Sequence, residues 1–171
     1  MASAKPRTGD SATFSVGIDL GTTNCAIACA DIRDVETPGP VEVLPILQLV
    51  QPGEVAPLTL LPSFLYIAGD LDFPAGSLSL PWEDQRGRPP HIVGELARKR
   101  GSESPARLVS SAKSWLSHAA VNRTAAILPW GAPEEVPKLS PVTDPRCKSR
   151  AALFIWRISS LLFAHQNTQL A

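Results

Sequence analysis

Alternation of apolar with small or polar residues marks the first ordered elements of the chain. Val16, Ile18 and Leu20 alternate with Gly17, Asp19 and Gly21, and Cys25, Ile27 and Cys29 alternate with Ala26, Ala28 and Ala30. Successive side chains of a strand point to opposite faces, so the pattern predicts two strands, over 14–20 and 25–31, joined through GTTN as a tight antiparallel hairpin. One face of that hairpin is apolar. The other carries little bulk and a single carboxylate, Asp19, which leaves room for something to approach the backbone.

Further along, the apolar runs VEVLPILQLV and LTLLPSFLYI predict strands of one sheet, interrupted at Pro45 and Pro62, which cannot donate to a ladder. The Gly-, Pro- and Ser-rich stretch 70–90 predicts an exposed excursion, with 91–93 returning as a short strand. ELARKR consists of good helix formers and predicts a helix over 94–100. A second helix is expected over 105–118, because Leu108, Ala112, Trp115 and Leu116 recur at helical spacing and mark a buried face. Residues 124–130 predict a strand, followed by the proline-spaced loop PEEVPKLSPVTDP. Residues 1–13 are polar and expected to be disordered, and 150–166 is helix-like without a clean apolar stripe. No internal repeat is present.

A length of 171 residues suffices for one domain with a real core, or for a piece of a larger one. Sixteen basic and 16 acidic residues cancel, so no large field attracts nucleic acid or anionic lipid, and neither is expected as a partner. Seventeen prolines against 11 glycines favour many short elements over long helices. Three cysteines make an odd count. Cys25 and Cys29 would lie roughly 13 Å apart on an extended strand, beyond disulfide reach, so reduced thiols and a cytoplasmic location are expected. The first residues hold no signal-peptide core. AALFIWRISSLLFA, interrupted by Arg157, is too short to span a bilayer.

The hairpin turn also has the makings of a site. Gly21, the hydroxyls of Thr22 and Thr23 and the exposed backbone N–H groups form a cradle for phosphate oxygens, with no bulky side chain in the way. Asp19 beside it suits Mg²⁺, which keeps its waters and binds through few carboxylates. Spacing alone is equally compatible with a plain hairpin turn and a solvated strand acid. No GxxxxGK[ST] loop occurs. His91 and His118 have no second ligand at metal spacing, so no metal site built from protein side chains alone is expected. Arg98, Lys99, Arg100 and Arg107 read as a solvated face, Lys113 on its own as an exposed helix lysine, and Trp115 as core packing rather than a base-stacking platform.

The run GIDLGTTN resembles the first phosphate loop of the actin-like ATPase superfamily, most closely that of the 70-kDa heat-shock (DnaK-like) chaperone family. LPSFLYI resembles that family's TPS strand, and VGELARKRG followed by RLVSSAKSWL resembles its VG-x-x-A segment and the lysine helix after it. The likeness covers roughly residues 15–142. It implies an α/β architecture, the ribonuclease-H-like/actin-like ATPase fold, of which this chain would hold part of the first lobe: a mixed sheet with a β-hairpin phosphate loop, over 14–142. It implies further that Gly21, Thr22, Thr23 and Asn24 line the β- and γ-phosphates of ATP, that Asp19 holds Mg through water, and that Lys113 is the catalytic residue, orienting the attacking water. In the intact family ATP hydrolysis is coupled to protein folding, with unfolded polypeptide and co-chaperones as partners.

Beyond Val142 the likeness stops, and residues 143–171 are unmatched. The resemblance implies that the second phosphate loop and the adenosine-binding residues come from chain not present here, so turnover by these residues alone is not expected. The unmatched tail reads either as a change of reading frame or as an amphipathic interaction helix anchored by Trp156, Leu161, Leu162 and Phe163. Two other functions compete: a non-catalytic interaction protein, and a carbohydrate kinase of the same superfamily, which carries similar loops but gives no reason for LPSFLYI followed by VGELARKRG.

Overall fold

The computed structural model describes residues 13–34, 36–80 and 91–141. In chain order its strands are β1 (Phe14–Leu20), β2 (Asn24–Asp31), β3 (Glu42–Val43), β4 (Ile46–Gln51), β5 (Glu54–Leu58), β6 (Leu61–Pro62), β7 (Phe64–Ile67), β8 (His91–Val93) and β9 (Leu108–Ser110). Helix α1 (Glu95–Glu103) follows β8, and α2 (Ala112–Leu116) follows β9. The architecture is mixed α/β, with three small antiparallel sheets and few helices: β1-β2-β3 with β6 also on β2, the β4-β5 hairpin, and β8-β7-β9. Among the described residues no helix is long and apolar enough to cross a membrane.

The two proline-punctuated runs do not form one sheet, contrary to the expectation: each is split between sheets, and only their short strands β3 and β6 meet in the same one, both on β2. β3 adds to β2, but beyond Pro45 the chain leaves that sheet and β4 pairs with β5. Likewise β6 lies on β2 and ends at Pro62, after which β7 enters the third sheet. At both prolines the missing N–H coincides with the change of partner.

The second predicted helix is mostly something else. Pro105 opens a 3-10 turn over Pro105–Arg107, and Leu108–Ser110 is extended, because Val109 pairs with Leu65 and Leu108 with Tyr66. A tertiary ladder here overrides a local helical pattern. Ser111, in the left-handed region at φ 51°, then turns the chain into α2. Helix α1 outruns its expected end at residue 100 by three residues. The strand expected over 124–130 is reduced to one bridge, Leu128 with Leu139, since Pro129 cannot extend it. Within 70–80, Leu71 is exposed, yet Phe73, Leu78 and Leu80 pack on the core, so this part of the excursion is tied down. The expected disorder of 1–12 and the tail readings for 143–171 fall outside the described residues; Thr13, assigned to the disordered end, accepts a hydrogen bond from Ile32 N–H.

Two apolar cores flank the third sheet. Cys25, Ile27, Leu61, Tyr66, Ile92 and Leu96 belong to one, and Leu65, Ile67, Val93, Val109, Leu128 and Val136 to the other. Alternation along β7 sends Tyr66 to the first and its neighbours Leu65 and Ile67 to the second.

Candidate functional site

The hairpin register matches the alternation. Val16 faces Cys29, Ile18 faces Ile27 and Leu20 faces Cys25 on one side; Gly17 faces Ala28 and Asp19 faces Ala26 on the other. Cys25 and Ile27 are buried, and among the described residues Cys25 and Cys29 are free thiols, not paired with each other, as their spacing predicted. β1 itself is the terminal strand of its sheet and is exposed over Phe14–Asp19.

Gly21 is required where it stands, because a Cβ there would lie 2.3 Å from the Asn24 carbonyl oxygen. From behind, the turn is fastened to Ser63. Its hydroxyl donates to the Gly21 carbonyl at 2.8 Å and its N–H to the Thr23 carbonyl at 2.8 Å. The Cys25 thiol lies 3.3 Å from Ser63 Oγ, a contact in which either group can donate. In a trans peptide the N–H of the next residue points opposite to the carbonyl, so the N–H groups of Thr22 and Asn24 are turned away from Ser63. The side chains of Thr22 and Thr23 are exposed. Thr22 and Thr23 thus stand exposed at a turn whose back is fixed by Ser63.

Lys113 comes to the same turn across 93 positions of sequence. Its Nζ donates to the Leu20 carbonyl at 2.6 Å. Thr13 O accepts from Ile32 N–H, which marks the odd-numbered residues of β1 as the hydrogen-bonded pairs, so the Leu20 carbonyl points to the outer edge of β1. The ammonium closes that edge between Asp19 and Gly21, and the left-handed Ser111 at the head of α2 aims it there.

Asp19 is exposed on the small-residue face beside the turn. Among the described residues no three His, Cys, Asp or Glu side chains gather into a metal site. Asp19 is one accessible carboxylate, and a Mg²⁺ that keeps most of its waters needs few carboxylates, so the residue is compatible with that ion. Asn24 differs from its expected place, standing at the first position of β2 opposite Pro62.

Next to the turn lies an open groove of about 510 Å³, lined by Thr23, Asn24, Leu60, Pro62, Phe64 and Arg98 among others. A buried glutamine builds its wall. Gln48, 1% exposed, donates from Nε2 to the Leu60 carbonyl at 2.9 Å and accepts the Glu95 N–H on Oε1 at 3.0 Å, which joins the β5–β6 connection to the start of α1. Gly94 must be glycine, with φ 86° and a would-be Cβ 2.6 Å from Gln48 Oε1. The glycine of the VGELA stretch thereby has a packing reason.

The basic cluster is less solvated than expected. Arg98 makes two hydrogen bonds to the Glu95 carboxylate, which hold that carboxyl below its usual range. Lys99 reaches the Val50 carbonyl, Arg100 lies over the Phe73 ring at 4.8 Å, and Arg107 donates to the Ile67 carbonyl. Trp115 is half-buried against the second core, as expected, and also stacks on Trp130 and His118.

Sequence reasoning missed Ser63 and Gln48. The signal for Gln48 lay in ILQLVQ, where a polar residue interrupts an otherwise apolar run. Ser63 had no signal of its own between two apolar neighbours. No family model, curated protein or solved structure matches the chain.

Proposed function

We propose that this chain binds Mg-ATP at the β1–β2 turn, as the first-lobe portion of a ribonuclease-H-like ATPase domain of the DnaK-like chaperone kind. In a complete domain of that kind, ATP hydrolysis would be coupled to the handling of unfolded polypeptide. The observation that carries the reading is the 2.6 Å bond from Lys113 Nζ to the Leu20 carbonyl. It sets an exposed cation beside the turn, from a residue distant in sequence.

Phosphoryl transfer depends on positioning and charge neutralisation more than on covalent catalysis. In this chain the Thr22 and Asn24 N–H groups and the Thr22 and Thr23 hydroxyls would bind the β- and γ-phosphate oxygens. Lys113 would leave Leu20 for the γ-phosphate and orient the attacking water. Asp19 would hold the magnesium through its water shell, and the ion would supply charge neutralisation on the phosphates. Residues 14–142 would act as one unit in this role.

Titration of the purified chain with Mg-ATP tests the proposal. Binding in the micromolar-to-millimolar range, weakened about tenfold by Thr22→Ala, is expected for a site enclosing only part of its ligand. No heat at several millimolar Mg-ATP would refute it.

A non-catalytic interaction role is favoured by one separate feature, the apolar row Phe14, Val16 and Ile18 exposed along β1. It is compatible with nucleotide binding and predicts a partner strand.

A further inference from the structure

Among the described residues the outer edge of β1 pairs with no strand, and its apolar row is uncovered: Phe14, Val16 and Ile18 are 48%, 42% and 53% exposed. The odd-numbered residues of β1 bond to β2, so the N–H and C=O groups of Phe14, Val16 and Ile18 point outward, beside the Leu20 carbonyl. An open ladder and an apolar row thus lie on one strand.

We propose that this edge pairs with the same edge of a second copy of the chain, antiparallel and in one register. Val16 stands opposite Val16 of the second copy, and Phe14 opposite its Ile18. The inference is independent of nucleotide binding.

Three features point to a second copy and to that register. First, residues 14–18 read apolar, small, apolar, small, apolar in both directions, so a two-fold axis at Val16 sets large side chains against large ones. Second, the stretch carries no charge, and the flanking charges, Asp19 and the Lys113 amine on the Leu20 carbonyl, sit at one end of it. Parallel in-register pairing would set like charges side by side. Antiparallel pairing about Val16 separates the two Leu20 residues by about 27 Å, well past the screening length of roughly 10 Å.

Third, Lys113 selects the frame. A ladder here must set even-numbered residues against even-numbered ones. The frame centred on Gly17 directs the Phe14 N–H at the Leu20 carbonyl, which Lys113 Nζ already holds at 2.6 Å. A frame centred on Ser15 takes Ile18 out of the overlap. The frame centred on Val16 keeps all three apolar residues and leaves the lysine bond intact, so Lys113 limits the edge as charged side chains on edge strands do.

Disulfide trapping tests the register. Opposite residues of a hydrogen-bonded antiparallel pair have Cα atoms about 5.5 Å apart, within disulfide reach, whereas a residue one place off the axis meets its own copy only diagonally, at about 7–8 Å. Full chains carrying Val16→Cys or Gly17→Cys are oxidised without nucleotide beside the parent, and intermolecular disulfides are mapped by mass spectrometry. Both sites take a side chain: Val16 is exposed, and a Cβ at Gly17 meets only the Ala28 carbonyl, at 4.0 Å. The 16–16 disulfide should form at least about tenfold faster than the 17–17 disulfide. Adding Lys113→Met to Gly17→Cys frees the Leu20 carbonyl and should raise the 17–17 rate about threefold or more. Equal rates at the two positions, or no 16–16 disulfide in a folded variant, overturn the inference and leave the edge to another strand. A 17–17 rate unmoved by Lys113→Met overturns the role given to the lysine.

Discussion

The Ser63 hydroxyl holds the Gly21 carbonyl at 2.8 Å across 42 positions of sequence, and the Ser63 N–H holds the Thr23 carbonyl. One residue therefore sets the orientation of two peptide groups in the turn. Ser63→Ala removes the side-chain bond and leaves the backbone bond. A loss of about 1–2 kcal/mol is expected, the ordinary consequence of depriving a partly buried acceptor of its donor. On the proposed function Mg-ATP affinity should fall as well, because the Gly21–Thr22 peptide would lose the bond that orients it. Thermal melting and titration of the variant check both effects, and an unchanged midpoint would show that the bond contributes nothing.

Gln48 and Gly94 form a second such pair. Gln48→Leu leaves the Leu60 carbonyl and the Glu95 N–H without the side chain that bridges them, at about 1–3 kcal/mol for each group. Gly94→Ala meets both the positive φ and the Gln48 side chain, so it should destabilise by a similar amount. If denaturant midpoints of both variants match the parent, the bridge is not a structural element.

Lys113 should behave in the opposite way. It is exposed, so Lys113→Met should change stability by less than about 0.5 kcal/mol. On the proposed function, the same change should lower the ATP turnover rate of a complete domain about 100-fold or more, since it would remove the cation assigned to the γ-phosphate. Single-turnover rates measure this, and an undiminished rate would exclude Lys113 from the chemistry.

These contrasts explain what was legible in the sequence. The hairpin was, because period-2 alternation in 14–31 and the turn residues agree with each other and with the register. Position 113 was singled out only through its sequence context; nothing in the spacing of AKSWL reveals that its amine meets Leu20. Leu108 misled because helical spacing in a short apolar stretch cannot outweigh a ladder with β7, whose residues lie 42 to 46 positions earlier in the chain. Ser63 and Gln48 were invisible as site builders for the same reason: their roles are defined by partners on other elements.

Acid should loosen the molecule at Asp72. The Gly69 N–H, and after it the Tyr66 hydroxyl, hold the Asp72 carboxyl below its ordinary value of 3.8, against burial, which pushes it up. Folding favours the charged form, so the contribution is present above that ordinary value and is lost as pH falls through the lower folded value. Asp72→Asn should therefore show a smaller drop in melting temperature than the parent between about pH 6 and pH 3. Equal drops would mean that Asp72 does not control the acid limb.

Ile18 and Val16 are 53% and 42% exposed on a terminal strand, a template for edge-to-edge pairing. Ile18→Lys should reduce concentration-dependent self-association without altering the fold. Sedimentation velocity over a tenfold concentration range reads the result, and identical profiles for variant and parent would clear β1 of that role.

Strand β7 gives its odd and even residues to different apolar clusters, so neither half of the described protein can melt while the other keeps its wall. Heat should be absorbed in a single cooperative peak. A shift of β7 by one residue would exchange the linings of both halves at once, a mistake large enough for the folding chain to reject.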